Sequence, residues 1–126
     1  MQTPIEETTQ PTKSFKDLGL NSKILKSIAE VGFTQPSPIQ EKAIPLVLAG
    51  KDVIAQAQTG TGKTAAFALP IIQNLQNNKS VEALVITPTR ELAMQVSDEI
   101  FKLGKSSRTR TICVYGGRAS ANNASY

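Results

Sequence analysis

Ala57-Gln58-Thr59-Gly60-Thr61-Gly62-Lys63-Thr64 lies between a short apolar run, Asp52 to Ala55 (DVIA), and a stretch of helical character from about Lys63 to Asn74. The octapeptide fits the phosphate-loop pattern except that Ala57 holds the first glycine position. With glycine at about 7% of average protein composition, a chance match in a chain this long has odds on the order of one in a hundred. The strand-turn-helix context lowers those odds further. Gly60 and Gly62 let the backbone wrap an anion with its amides pointing inward. The start of the next helix adds unpaired N–H groups and a positive dipole end. Lys63 supplies a point charge for β/γ-phosphates, and the Thr64 hydroxyl a ligand for Mg²⁺. The alternative is a plain glycine-rich turn followed by an exposed lysine.

Working outward, apolar strands alternate with helices. Asn21 or Ser22 caps a helix whose Ile24, Leu25, Ile28 and Val31 share one face and which ends at Gly32. Ser37-Pro38 opens a second helix that runs to about Ala49, with a bend expected at Pro45 and a stop at Gly50. Beyond the loop and its helix, Ala83 to Thr87 (ALVIT) reads as a second strand. Thr89 caps a helix from Arg90 to about Leu103, closed by Gly104. Thr111 to Tyr115 (TICVY) is a third strand, ended by Gly116-Gly117. Continuous apolar strands between helices imply a parallel sheet covered on both faces. Residues 1–14 are polar, hold two prolines and lack periodicity, so a flexible tail is expected there, with the folded part at residues 15–126.

Composition narrows the chemistry. In 126 residues there is no histidine, which removes His-based triads and imidazole metal sites. The one cysteine, Cys113, lies in an apolar run and reads as a small buried hydrophobe. The net charge of +4 is uneven: residues 1–99 hold nine basic and ten acidic side chains, whereas residues 100–126 hold five basic ones and no acid. Such a patch suits a polyanion through counterion release, or is a solvated helix end. No apolar stretch approaches the ~20 residues a membrane span needs, and the N-terminus lacks a signal-peptide core. The expectation is a soluble, cytoplasmic protein without membrane contact.

Three further elements carry a resemblance. Gly32-Phe33-Thr34-Gln35-Pro36-Ser37-Pro38-Ile39-Gln40 lies upstream of the loop, with Phe15 eighteen positions before Phe33. Pro88-Thr89-Arg90-Glu91-Leu92-Ala93 lies downstream, and Gly116-Gly117 follows the third strand. In this order and spacing the four signatures resemble the first half of the N-terminal RecA-like domain of a DEAD-box ATP-dependent RNA helicase, over about Phe15 to Gly117. The fold expected is therefore α/β: a P-loop NTPase with a RecA-like parallel sheet flanked by helices, about half complete. The resemblance implies ATP with Mg²⁺ as cofactors, RNA as partner, and a second RecA-like domain in the intact protein.

Carried over by position, the resemblance assigns nucleotide contacts to Phe15, Phe33, Gln40, Gln58, Thr59, Gly60, Thr61, Gly62, Lys63 and Thr64. Lys63 and Thr64 take the catalytic roles, with Thr64 on Mg²⁺. Gln40 would read the adenine edge, since an amide matches N7 and the 6-amino group as a pair. Gln40 also lies three residues after Ser37, where it completes a capping box. Phe15 either flanks adenine or pins the tail to the core. Pro88, Thr89, Arg90, Gly116 and Gly117 match RNA-contacting positions; a helix cap and a bare turn are the alternatives.

The family hydrolyses ATP with a strand ending in Asp-Glu-Ala-Asp and with a Ser-Ala-Thr element, and neither string occurs in residues 1–126. Its phosphate-loop strand is also flanked by strands that come later in sequence. The resemblance thus implies that Val53-Ile54-Ala55 lacks a sheet neighbour here, and that this chain alone is inactive and partly unfolded or aggregated.

Overall fold

A computed structural model describes residues 13–58, 60 and 62–116. Most of the expected tail, and Thr59, Thr61, Gly117 and Arg118, lie outside the described residues. The described chain forms a 3₁₀ turn (Phe15–Leu18), then α1 (Ser22–Val31), α2 (Pro38–Leu48), α3 (Lys63–Asn74) and α4 (Arg90–Leu103), and a second 3₁₀ turn (Lys105–Ser107).

Helix boundaries follow local chemistry. Asn21 Oδ1 accepts from the Ile24 amide at 3.0 Å and starts α1. Gly32 ends it at φ +91°, a left-handed conformation that lets the Phe33 amide donate to the Ile28 carbonyl at 3.0 Å. Ile24 and Ile28 are buried, but Val31, expected on the same face, is exposed. It is the last residue of the helix, beside the Gly32 turn that leads the chain away. Helix α2 continues through Pro45, whose missing N–H leaves one rung open without ending the helix. Its end is tied by Gly50 donating to Val47 at 3.0 Å and Lys51 donating to Leu46 at 3.0 Å.

Helix α3 is the centre of the packing. Ala65, Ala66, Ala68, Leu69, Pro70 and Ile72 are all buried along it. Its small residues admit close neighbours, with α2 on one side and α4 on another. Phe15, Leu18, Leu20, Ile24, Ile28, Ile44, Leu69, Val96, Ile100 and Leu103 complete one continuous core. Gln73, near the end of α3, fastens the start of the fold. Its amide donates to the Gly19 carbonyl at 2.9 Å, and its carbonyl accepts from the Asn21 amide at 2.7 Å.

The three apolar segments at 52–55, 83–87 and 111–115 do not pair: among the described residues there is no strand ladder. A parallel strand needs a neighbour on at least one side to form ladder bonds. Ile54, Val81, Leu84, Ile86 and Val114 stand open to solvent. The helical layer is built, and the sheet it would cover is not.

Candidate functional site

Gly62 precedes α3 with φ +78°, and among the described residues no side chain caps this helix, whereas α1, α2 and α4 are capped by Asn21, Ser37 and Thr89. The first-turn amides of α3 therefore open onto the phosphate loop. Lys63 is exposed, and the Thr64 hydroxyl is carried half-buried on the same first turn. Gly60 also has positive φ, at +83°, and a Cβ built there would meet nothing within 4 Å.

Gln40 is buried at the third position of α2, and both ends of its side-chain amide are engaged. Its Oε1 accepts from the Ser37 amide at 2.9 Å, and its own amide donates to Ser37 Oγ at 3.4 Å, so the capping box is formed. Its Nε2 donates to the Gly62 carbonyl at 3.1 Å. One primary amide thus ties the start of α2 to the start of α3. A Cβ at Gly62 would collide with Gln40 Nε2, so glycine is required there by contact as well as by φ. One N–H on Nε2 and one lone pair on Oε1 remain for a further pair of hydrogen bonds.

Phe15 is buried in the core beneath α1, and its ring stacks on Phe33 with centroids 6.4 Å apart and planes inclined by 18°. The pair walls a groove of about 330 Å³ that Leu25, Ile28, Ala29 and Thr34 also line. The burial of Phe15 fits its role as an anchor of the first turn, and Phe33 is the more open of the two rings.

Thr89 Oγ1 accepts from the Leu92 amide at 3.2 Å and starts α4, while Thr87 Oγ1 donates to the Thr89 carbonyl at 3.0 Å. Pro88, Thr89 and Arg90 are exposed. The Arg90 guanidinium lies over the Tyr115 ring, 5.8 Å from its centroid. Among the described residues nothing lies within 4 Å of where a Gly116 side chain would start. Cys113 is a free thiol and only half-buried. Among the described residues no group of three or more acidic or cysteine side chains could hold a metal ion. A single Thr64 hydroxyl suits a Mg²⁺ held mostly by phosphate oxygens and water, the usual preference of this cation.

The structure brings together Gln40 with Gly62, Phe15 with Phe33, and Arg90 with Tyr115. Sequence reasoning placed the members of the first two pairs in one site without the contacts between them. It did not single out Tyr115 or Gln73. Tyr115 had a signal, an aromatic ring directly before Gly116-Gly117; Gln73 had none. Among the described residues no helix is long and apolar enough to cross a membrane.

The chain is 71% identical to the DEAD-box ATP-dependent RNA helicase RhpA of Helicobacter pylori (strain B128) over 119 residues, covering 94% of this chain and 24% of that protein. A crystal structure of a DEAD box protein from the hyperthermophile Methanococcus jannaschii matches with a TM-score of 0.75 at 44% identity, covering 84% of this chain and 30% of that one. Saccharomyces cerevisiae Dbp5 bound to RNA and ADP BeF3 matches with a TM-score of 0.72 at 43% identity, covering 75% and 25%. Both structural matches identify the helical layer as part of a RecA-like domain. The chain spans about a quarter of the length of the curated relatives it matches. Residues 37–125 match the DEAD/DEAH box helicase family, and with the loop, the Gln40 element and the Arg90 helix in the positions described, the chain belongs to that family.

Proposed function

We propose that residues 15–126 form the ATP- and RNA-binding portion of the first RecA-like domain of a cytoplasmic ATP-dependent RNA helicase, with residues 1–14 as a tail. The single observation that carries this reading is the Gln40 amide: it is held by Ser37 and Gly62, and it keeps one donor and one acceptor over. That remaining pair matches the 6-amino group and N7 of adenine, and it is fixed directly beside the phosphate loop. The capping and adenine roles of Gln40 are thereby compatible rather than rival. Lys63 and the open amides of α3 would take the phosphates, and Thr64 would ligate Mg²⁺, which supplies charge neutralisation there when bound. An RNA phosphate would rest on the start of α4 beside Arg90, with Gly116 leaving room for the nucleic-acid backbone.

In the whole protein, a second RecA-like domain would close on ATP and RNA and separate a short duplex, with hydrolysis resetting the open state. A second reading, a nucleotide- and RNA-binding module without turnover, is favoured for these 126 residues by their lack of a DEAD or Ser-Ala-Thr string.

The test is nucleotide affinity on chain tethered to a sensor surface at low density, where copies do not meet. Gln40→Ala frees the loop for any nucleotide but removes base reading for ATP alone. ATP affinity is expected to fall about fivefold to 150-fold more than GTP affinity, one good hydrogen-bonded pair being worth ~1–3 kcal/mol. Equal losses would leave Gln40 as a cap and tether only. Lys63→Ala is expected to abolish binding, and unchanged affinity would overturn the phosphate site.

A further inference from the structure

We propose that Tyr115 is a positioning residue for RNA: its ring holds the Arg90 guanidinium at the start of α4, where it meets a backbone phosphate. The inference rests on Arg90 being an RNA contact, as argued above, and goes beyond it in naming what fixes that side chain.

Three contacts set the geometry. After α4 the chain reverses sharply. The amides of Ser107 and Thr109 both donate to the Gly104 carbonyl, at 3.0 and 3.1 Å, and Arg108 adopts φ +55°. Thr109 is buried hard against Gly104, where a Cβ would overlap its side chain. The returning segment is then tied to α4 by a hydrogen bond of 3.2 Å between the Ser97 and Thr111 hydroxyls. Finally Tyr115 meets Arg90. Ser97 to Arg90 is about 10.5 Å along a helix at 1.5 Å per residue. Thr111 to Tyr115 reaches at most about 13 Å along an outstretched chain. The two lengths match, so the segment runs back along α4 and delivers the ring to the first turn of the helix.

Arg90 is exposed and long, and unrestrained it would sample many rotamers. A ring face within ~6 Å attracts a guanidinium and restricts it without consuming its N–H donors, which stay in the plane available to phosphate. A carboxylate partner would restrain Arg90 equally but would compete with the phosphate for the same donors. Gly116 comes directly after the ring and adds no bulk, and a Cβ built on it would meet no described residue within 4 Å. The aromatic residue and the glycine after it thus serve one phosphate position, the first by aiming a cation and the second by leaving clearance.

The experiment measures binding of a labelled ten-nucleotide oligouridylate to the tethered chain. Tyr115→Leu is expected to weaken binding about twofold to fivefold, the range of an exposed cation–aromatic contact. Tyr115→Phe is expected to restore it, because the ring face and not the hydroxyl does the holding. In an Arg90→Ala background, Tyr115→Leu is expected to cause no further loss, and nucleotide affinity is expected to stay unchanged in every variant. Loss with Arg90→Ala but none with Tyr115→Leu overturns the positioning role and leaves the RNA reading standing. No loss with Arg90→Ala overturns the RNA reading itself. Additive losses, or a fall in nucleotide affinity with Tyr115→Leu, would mean that Tyr115 merely supports the fold.

Discussion

Replacing Leu84 and Ile86 by lysine tests the unbuilt sheet. Four apolar side chains stand largely open in the three unpaired segments: Ile54 at 100% exposure, Leu84 at 80%, Ile86 at 85% and Val114 at 73%. Burying one such side chain fully is worth about 1.5–3 kcal/mol, so the unrealised burial sums to roughly 6–12 kcal/mol. A whole domain is stable by only about 5–15 kcal/mol. The drive to cover these segments is thus as large as the stability of an ordinary fold, and in the isolated chain the surface at hand is another copy. Leu84 and Ile86 carry about 3–6 kcal/mol of it. Since ~1.4 kcal/mol is tenfold in an equilibrium constant, the double variant should weaken self-association at least a hundredfold. Light scattering on a sizing column, over a concentration series, reads this directly. Wild-type chain is expected to elute as growing assemblies and the double lysine variant as monomer. A wild-type monomer at every concentration with a cooperative thermal transition would refute the argument, as would a variant that associates like wild type.

Three more substitutions, in two comparisons, probe the ties that hold the helices. Gly62→Ala should weaken nucleotide binding far more than Gly60→Ala: both incur the ~1–2 kcal/mol of a left-handed backbone, but only the first displaces the Gln40 amide from its carbonyl partner. Equal affinities on the tethered chain would mean that the Gln40–Gly62 contact does not shape the loop. Gln73→Leu removes two hydrogen bonds to residues 19–21 and should destabilise the helical layer by about 2 kcal/mol, read from urea unfolding of the Leu84→Lys/Ile86→Lys chain. An unchanged midpoint would show that solvent satisfies those groups equally well.

Helices were legible to within a residue or so because each boundary is written locally. Asn21, Ser37 and Thr89 are caps, Gly32 is a left-handed stop, and the loop ends in a glycine that opens α3. The fold class was legible too, through alternation of apolar runs with helices. Strand formation was not, since DVIA, ALVIT and TICVY state a preference for burial but not whether a neighbour is present to pair with. At the site, the residue types and their order were readable, whereas the contacts among them were not. Gln40 and Gly62 are 22 positions apart, and their meeting depends on how α2 lies against α3. Gln73, an ordinary polar residue near a helix end, gave no hint that it holds the chain 52 and 54 positions earlier.

That grip makes α3 a shaft with a coupling at each end. Its first residue, Lys63, follows the Gly62 carbonyl that Gln40 holds. Ten residues on, about 15 Å along the axis, Gln73 grasps the backbone on either side of Leu20 with both ends of its amide. An axial shift of α3 at the loop would therefore pull on Gly19 and Asn21 at once. The same turn seats Phe15 against Phe33. The aromatic groove and the phosphate loop are linked by one rigid rod as well as by α2, and Gln73→Leu would disengage the rod at its far end.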